Sequence, residues 1–468
     1  MTGFTRCTCV CPLVRQILSI LLILSAISVF AQPPVLQLPY QIHTLPNGLT
    51  VILHEDHRVP MVAVNVWYHV GSGYEKPGRT GFAHLFEHIM FEGSGHVAEG
   101  DFDNLLESVG GNNNGSTNTD RTNYYEILPS SALDAALFLE SDRMGYLLDA
   151  MSPEKVDGQR DVVKNERRQS YENRPYGQAW IKLAESLYPE GHPYSWPTIG
   201  YMEDLTAASY EDVVEFFRRY YSPNNAVLVI AGDIDPGQAL ERVRYWFAEI
   251  PAGEEVLPPP SRPFVLNGPE YLTLEDNVQL PRLYLAYPTP SYYTPGDAEM
   301  DVLADILAGG KNSRLYKKLV YELGIAQDVS AFQGSRALES MFVLTATARP
   351  GHSLEELLAA IDAGIEGLKE ENPPTGRELQ RAVNQIEVGM LRSFQDLQRK
   401  ADALNKYYYY TGNPDYANED LSRYTSLSVE DLSAMARKYL NPQQRVLLSM
   451  VPEGQTGLAV SKKDKVKP

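Results

Sequence analysis

Residues 211–228, EDVVEFFRRYYSPNNAVL, and residues 430–447, EDLSAMARKYLNPQQRVL, are one pattern written twice. At an offset of 219 residues Glu211-Asp212-Val213 falls on Glu430-Asp431-Leu432, and Tyr220, Pro223, Val227 and Leu228 fall on Tyr439, Pro442, Val446 and Leu447, while Arg219 meets Lys438. Each copy reads as an amphipathic helix, a proline turn and an apolar strand. A weaker correspondence supports the repeat: each half opens with a strand, Met61 to Val70 and Arg282 to Tyr287, followed by a Gly- or Pro-containing loop and a helix. The chain is therefore expected to hold two related domains of about 200 residues each.

Between the copies runs PAGEEVLPPP, Pro251 to Pro260, whose proline run can neither continue a helix nor enter a sheet interior. The expected division is a domain over 32–250, a linker over 251–269, a second domain over 270–452 and a flexible basic tail over 453–468. Strand patterns at Leu49 to His54, Ala226 to Ala231 and Met341 to Ala348 alternate with long helical ones. The fold class that follows is α+β, two related α/β sandwich domains in which a duplicated mixed sheet is covered by helices.

The first thirty-one residues are set aside. Arg6 and Arg15 precede an apolar stretch from Ile17 to Phe30 that ends in Val29-Phe30-Ala31, the pattern of a secretory signal peptide cut after Ala31. Its apolar run of about fourteen residues is shorter than the roughly twenty that span a bilayer, so an uncleaved membrane tether is the lesser alternative. All three cysteines, Cys7, Cys9 and Cys11, lie in that segment. A mature chain would have no disulfide and no cysteine metal site, and export without disulfides fits a periplasm, or secretion. The formal charge is −19, becoming −21 when Arg6 and Arg15 are removed, which disfavours nucleic acid as a partner.

One motif carries chemistry. In His84-Leu85-Phe86-Glu87-His88 the two histidines lie four apart, so on a helix both imidazoles reach one ion and Glu87 lies beside it as a base. With 9 histidines in 468 residues, composition alone would give this pattern in about one such chain in a hundred. A catalytic zinc site takes three protein ligands and leaves one position open. The best third candidate is Glu166, which shares a helical face with Gln159, Val162 and Val163. A carboxylate on such a face costs several kcal/mol unless it has a cation, and a salt bridge to Arg167 or Arg168 is the alternative to metal ligation.

These residues resemble the pitrilysin (insulinase) family of inverzincin peptidases, in the half-length branch similar to mitochondrial processing peptidase subunits and their bacterial relatives. The matching pieces are GFAHLFEHIMFEGS, GGNNNGSTNTDRTNYYEILP at Gly110 to Pro129, RDVVKNERRQ, HPY at His192 to Tyr194, RYYSPNNAVLVIAGDID at Arg219 to Asp235, and GGKNSRLYKKLVYELGIA. The resemblance implies that His84, His88 and Glu166 bind one Zn2+ per chain. It also implies that Glu87 is the general base, taking a proton from zinc-bound water and passing it to the leaving amine. Seven residues before the distal ligand the family commonly has a second glutamate. Here the position is Gln159, which can orient a ligand or water but supplies no charge.

The segment Asn112 to Leu128 is rich in Asn and Thr and then aromatic, as suits an exposed edge strand. In the resembled family this strand lies beside the zinc and accepts an extended peptide, and Asn114 and Thr117 match its substrate-binding positions, with Gly115 where alanine is usual. The second half has no HxxEH and a single histidine, His352, so it is expected to enclose substrate rather than catalyse. The resemblance implies that the chain is half of a clamshell, completed by a second copy or a related inactive chain. The aromatic runs Tyr407 to Tyr410 and Tyr292-Tyr293 are candidates for that contact or for packing inside their own domain. The expected function is an exported zinc endopeptidase or oligopeptidase acting on extended peptides. The alternative is a non-catalytic assembly or peptide-binding subunit, and a hydrolase of non-peptide substrates ranks last.

Overall fold

The computed structural model describes residues 36–261 and 263–461. The expected signal peptide and residues 462–468 of the basic tail lie outside them. The first half runs β1 (Gln41–Thr44), β2 (Thr50–Glu55), β3 (Met61–Tyr68), α1 (Phe82–Ile89), α2 (Asp101–Ser108), β4 (Asn112–Thr117), β5 (Thr122–Pro129), α3 (Leu133–Ala150), α4 (Pro153–Arg167), α5 (Ala179–Leu187), α6 (Met202–Ala207), α7 (Tyr210–Tyr220), β6 (Ala226–Gly232) and α8 (Pro236–Phe247). The second runs β7 (Glu270–Asp276), β8 (Arg282–Thr289), α9 (Asp297–Ala308), β9 (Ala326–Gly334), β10 (Ser340–Ala348), α10 (Leu354–Lys369), α11 (Gly376–Ser393), α12 (Leu397–Thr411), α13 (Ala417–Thr425), α14 (Val429–Tyr439) and β11 (Val446–Pro452). Residues 251–261 carry neither helix nor strand.

The repeat extends to strand order. One sheet is β1-β2-β6-β3-β5-β4 and the other β7-β11-β8-β10-β9. In each, one parallel pair, β2 with β6 and β7 with β11, adjoins a run of antiparallel ones. Even the register matches, since Val227 faces Thr50 and Trp67 while its counterpart Val446 faces Glu270 and Ala286. The helices quoted at the outset are both closed by capping boxes, Ser209 with Asp212 and Ser428 with Asp431, each supplying otherwise orphaned N–H groups with acceptors.

Both sheets are buried on both faces. On β3, Val62, Val64, Val66 and Tyr68 point into the main core of the first half, whereas Ala63, Asn65 and Trp67 point to the opposite face. Those opposite faces are covered by exchanged helices. The first half's α5 packs on β8 and β11 of the second sheet, where Ala179, Leu183 and Leu187 meet Ala286, Val343, Val446 and Leu448. The second half's α12 packs on β3 and β6. There the contact is polar: Asp402 accepts from Trp67 Nε1 at 3.0 Å and from Asn123 Nδ2 at 3.4 Å, and Asn405 Nδ2 donates to Asn65 O at 3.0 Å. Tyr176, at φ 61°, leads into α5 and is clamped to the second half, its N–H on Asp276 and its hydroxyl on Leu280 O.

The aromatic runs belong to this junction within the chain. Tyr409 packs against His69 and Trp67, and Tyr410 stacks on Tyr292 at 4.9 Å. In these contacts they pack inside the chain, on the flank of α12 that meets the first sheet and the start of the second half. No helix among the described residues is long and apolar enough to cross a membrane.

Candidate metal centre

Helix α1 carries the HxxEH motif and begins at Gly81, whose φ of 86° is a left-handed conformation that glycine adopts without strain. A side chain there would meet Ile199 O at 2.8 Å and the Cα of Gly200 at 2.9 Å. The helix has no acidic residue in its first turn and no side-chain cap. Its free N–H groups are satisfied by Glu75, which accepts from Gly81 N at 3.0 Å and Ala83 N at 2.8 Å. Burial pushes that carboxyl well above the usual range, opposed by the two N–H bonds. Sequence reasoning missed Glu75; its only trace was an acid just upstream of an uncapped helix.

Helix α4 brings Glu166 to the motif. Glu166 Oε2 stands 3.6 Å from His84 Nε2 and 3.3 Å from His88 Nε2, and one donor atom from each of the three residues lies within 4.8 Å of the others. Zinc bound at about 2.0–2.1 Å in a tetrahedron separates its ligands by roughly 3.3 Å, so the donor set fits that ion in chemistry and in spacing. Burial pushes the His84 imidazole down, while the facing imidazoles, His88 first, hold Glu166 below the usual carboxylate range. His84 Nδ1 is buried without a hydrogen-bond partner among the described residues.

One expectation about α4 needs correction. Val162 is 45% exposed whereas Val163 is fully buried, so the four residues do not share an inward face; the buried stripe is Val156 and Val163, and Glu166 flanks it at the rim. Nor do the neighbouring arginines take Glu166. Arg167 bonds Glu172 and Gly200 O, and Arg168 bonds Asn165. Gln159 donates to Glu92 Oε1 at 2.7 Å, just past the end of α1.

Glu87 Oε2 accepts from Thr117 Oγ1 at 2.6 Å. Thr117 ends β4, which is the free edge of its sheet, while β5 is interior and Tyr124 on it is fully buried, donating to Phe86 O at 3.1 Å. Asn118 N donates to Arg121 O, so the hydrogen-bonded pairs are the even-numbered residues of β4. Asn113, Gly115 and Thr117 turn their peptide groups to the open edge. The outward N–H of Gly115 meets Asn114 Oδ1 at 2.8 Å, and a Cβ at Gly115 would stand 3.1 Å from Glu87 Cγ. The turn after β4 is tied to the second half through Asp120. That carboxylate accepts from Tyr194, from Tyr410 Oη at 2.9 Å and from Ala337 N at 3.0 Å. Nothing in the local sequence singled out this hub.

A helix-borne histidine pair met by a carboxylate from a second helix, with a further carboxylate beside it and an open strand edge alongside, forms a candidate metal centre on a duplicated sandwich. The comparisons agree. The insulinase family, peptidase family M16, matches residues 50–184, and the domain described as the peptidase M16 inactive domain matches residues 207–386. The chain belongs to the M16 peptidase family. It is 28% identical over 420 residues to a protein named zinc protease PqqE from Helicobacter pylori, covering 87% of this chain and 92% of that one. The crystal structure of a protease from Helicobacter pylori superposes with a TM-score of 0.82 at 26% identity, covering 88% of this chain and 99% of that chain. The periplasmic protease PqqL from Escherichia coli shares the fold at a TM-score of 0.74 and 20% identity, over 91% of this chain and 49% of that longer one.

Proposed function

We propose that the chain is an exported zinc-dependent endopeptidase or oligopeptidase that hydrolyses extended peptides. The observation that carries this reading is the convergence of Glu166 Oε2 on both histidine Nε2 atoms at 3.6 and 3.3 Å, with Glu87 oriented by Thr117 alongside. His84, His88 and Glu166 would hold the ion, one per chain. When bound, zinc supplies a Lewis acid that polarises a peptide carbonyl and lowers the pKa of a coordinated water to about 7.

The remaining work falls to the protein. Thr117 holds Oε2 of Glu87, which leaves Oε1 as the basic atom that takes a proton from water and returns it to the leaving amine. The open edge of β4 aligns a peptide by backbone hydrogen bonds, asking little of its side chains; the Asn114 carbonyl that meets Gly115 N–H gives way to a peptide carbonyl. The second half carries no equivalent donor set and encloses substrate. His88 is 26% exposed and Glu166 40%, so a second half-shell, from another copy or a related subunit, is part of this reading. Cleavage after Ala31 would release the chain to the periplasm or the medium.

The test is zinc content of the mature chain together with hydrolysis of a quenched peptide library, alongside Glu87→Gln. Stoichiometric zinc and Glu87-dependent cleavage are expected. A metal-replete Glu87→Gln protein that still cleaves would sink the assignment of the base; zinc without cleavage in any oligomer would favour the assembly or peptide-binding role.

A further inference from the structure

A cavity of about 290 Å³ opens where the two halves meet, and it is made by the helix exchange. Its walls include Trp180 on α5 and Phe332 on β9, with Tyr171, Trp196, Arg336 and Met341 around them. Trp180 and Phe332 are each 40% exposed although their rings lie 5.7 Å apart, so two large aromatics from different halves form an open apolar wall rather than a closed core contact. The volume is at the small end of ligand pockets, roughly 300–1,000 Å³, which suits one side chain better than a whole small molecule.

Its position links it to the metal centre from two sides. Tyr171 lies five residues beyond Glu166, on the helical turn over residues 168–172 that continues α4. Thr119, a buried residue of the lining, lies two residues beyond Thr117, whose hydroxyl holds Glu87. A peptide lying along the open edge of β4 passes Gly115 beside the base and leaves the edge at Thr117, where the chain turns and Ser72 and Gly73 N–H groups bond Asn118 O and Thr119 O; the cavity lies beyond that turn, one or two further residues along at roughly 3.3 Å each. The cation among the lining residues, Arg336, is set back over the rings of Tyr194 and Tyr188 at 5.4 and 6.0 Å, so the mouth itself is aromatic.

We propose that this cavity is a specificity subsite that takes an aromatic or large aliphatic side chain of the substrate, roughly three to four residues from the cleaved bond on the side that runs past Thr117. It rests on the peptidase reading. Apolar contact selects the residue there, while strand addition leaves other positions permissive.

The test uses the full-length mature Glu87→Gln chain, which binds without turning over, and polar peptides that differ only in the position of one Phe. Titration calorimetry should find one position at which Phe tightens binding about tenfold to a hundredfold, the worth of burying that side chain. Adding Trp180→Glu should abolish that preference and favour Lys at the same position; Phe332→Glu, on the other half, repeats the measurement if the first variant folds poorly. A flat Phe profile, a preference untouched by both variants, or selection of Asp or Glu through Arg336 would each overturn the subsite. If no peptide binds, the peptidase reading fails and takes the subsite with it. If the Phe position is selected but the zinc-loaded wild-type chain cleaves none of the peptides, only the peptidase reading fails.

Discussion

Helices α1 and α9 occupy the same place in the two halves, each following the central strand and each entered through a glycine in a left-handed conformation, Gly81 and Gly296. With those glycines superposed, His84, Glu87 and His88 fall on Glu299, Val302 and Leu303. Glu299 closes its own helix start by accepting from Gly296 N at 3.0 Å, and Val302 and Leu303 are fully buried. Superposing the caps Ser152 and Thr375 likewise sets Glu166 on Gly389 and Gln159 on Ala382. The scaffold is common to both halves; four side-chain identities separate the candidate metal centre from its counterpart, where two of the positions are aliphatic core, one caps its helix and one is an exposed glycine.

His88→Leu, which gives α1 the residue of α9, should drop zinc content and hydrolysis to background while circular dichroism stays native. Retained stoichiometric zinc would mean that the metal sits elsewhere. The next largest effect is on stability. Arg143 is buried between Glu126 and Glu140 in the first half, all three at most 1% exposed, whereas the second half's Arg445 pairs with the partly exposed Asp362. Arg143→Met should cost about 3–5 kcal/mol because it strands buried carboxylates, and Arg445→Met less; equal shifts in denaturant midpoint would remove the distinction.

Acid should also find the first half. Burial pushes the His69 imidazole down to about 4, from 6.5 when unfolded. Between those values the unfolded chain binds a proton that the folded one refuses. The stability is therefore full above about pH 6.5 and lost as pH falls toward 4, by up to ~3 kcal/mol. The matching strand position in the second half is Pro288, so His69→Phe should flatten the acid limb of the stability profile, and an unchanged limb would place the sensitivity elsewhere.

Smaller effects probe the site. Thr117→Val frees Glu87 Oε2 and should lower kcat about tenfold with zinc content unchanged; a loss of zinc instead would make Thr117 part of metal retention. The smallest effect is at α4. Gln159→Glu sets a carboxylate against Glu92, already pushed up by burial and by Glu99, and should weaken zinc a few-fold in chelator competition. Adding Glu92→Gln should restore it, and failure of that rescue would deny the pair a role.

The sequence made the duplication legible because helix, proline turn and strand are local patterns, and it made His84, Glu87 and His88 legible because four-residue spacing is local too. Glu166 was reachable only as a carboxylate in need of a cation, and its face was misjudged because Val162 and Val163 cannot both lie on one buried stripe. The exchange of α5 and α12 left no periodic trace. Trp67 lies under α12 and Ala286 under α5, a size difference that becomes meaningful only once the register is known. Asp120 was hidden for the same reason, since its partners are a backbone N–H group and tyrosines from distant parts of the chain, whereas Glu75 caps a helix only six residues on, by a loop geometry that no spacing rule announces.

The exchange also governs what a protease could do to this molecule. A cut within residues 251–261 would sever the chain yet leave each fragment gripping the other's helix, α5 in one sheet and α12 in the other. The two pieces should travel as a single particle in native size-exclusion chromatography and part only in denaturant. Neither piece, expressed alone, would have a covering for the outer face of its sheet.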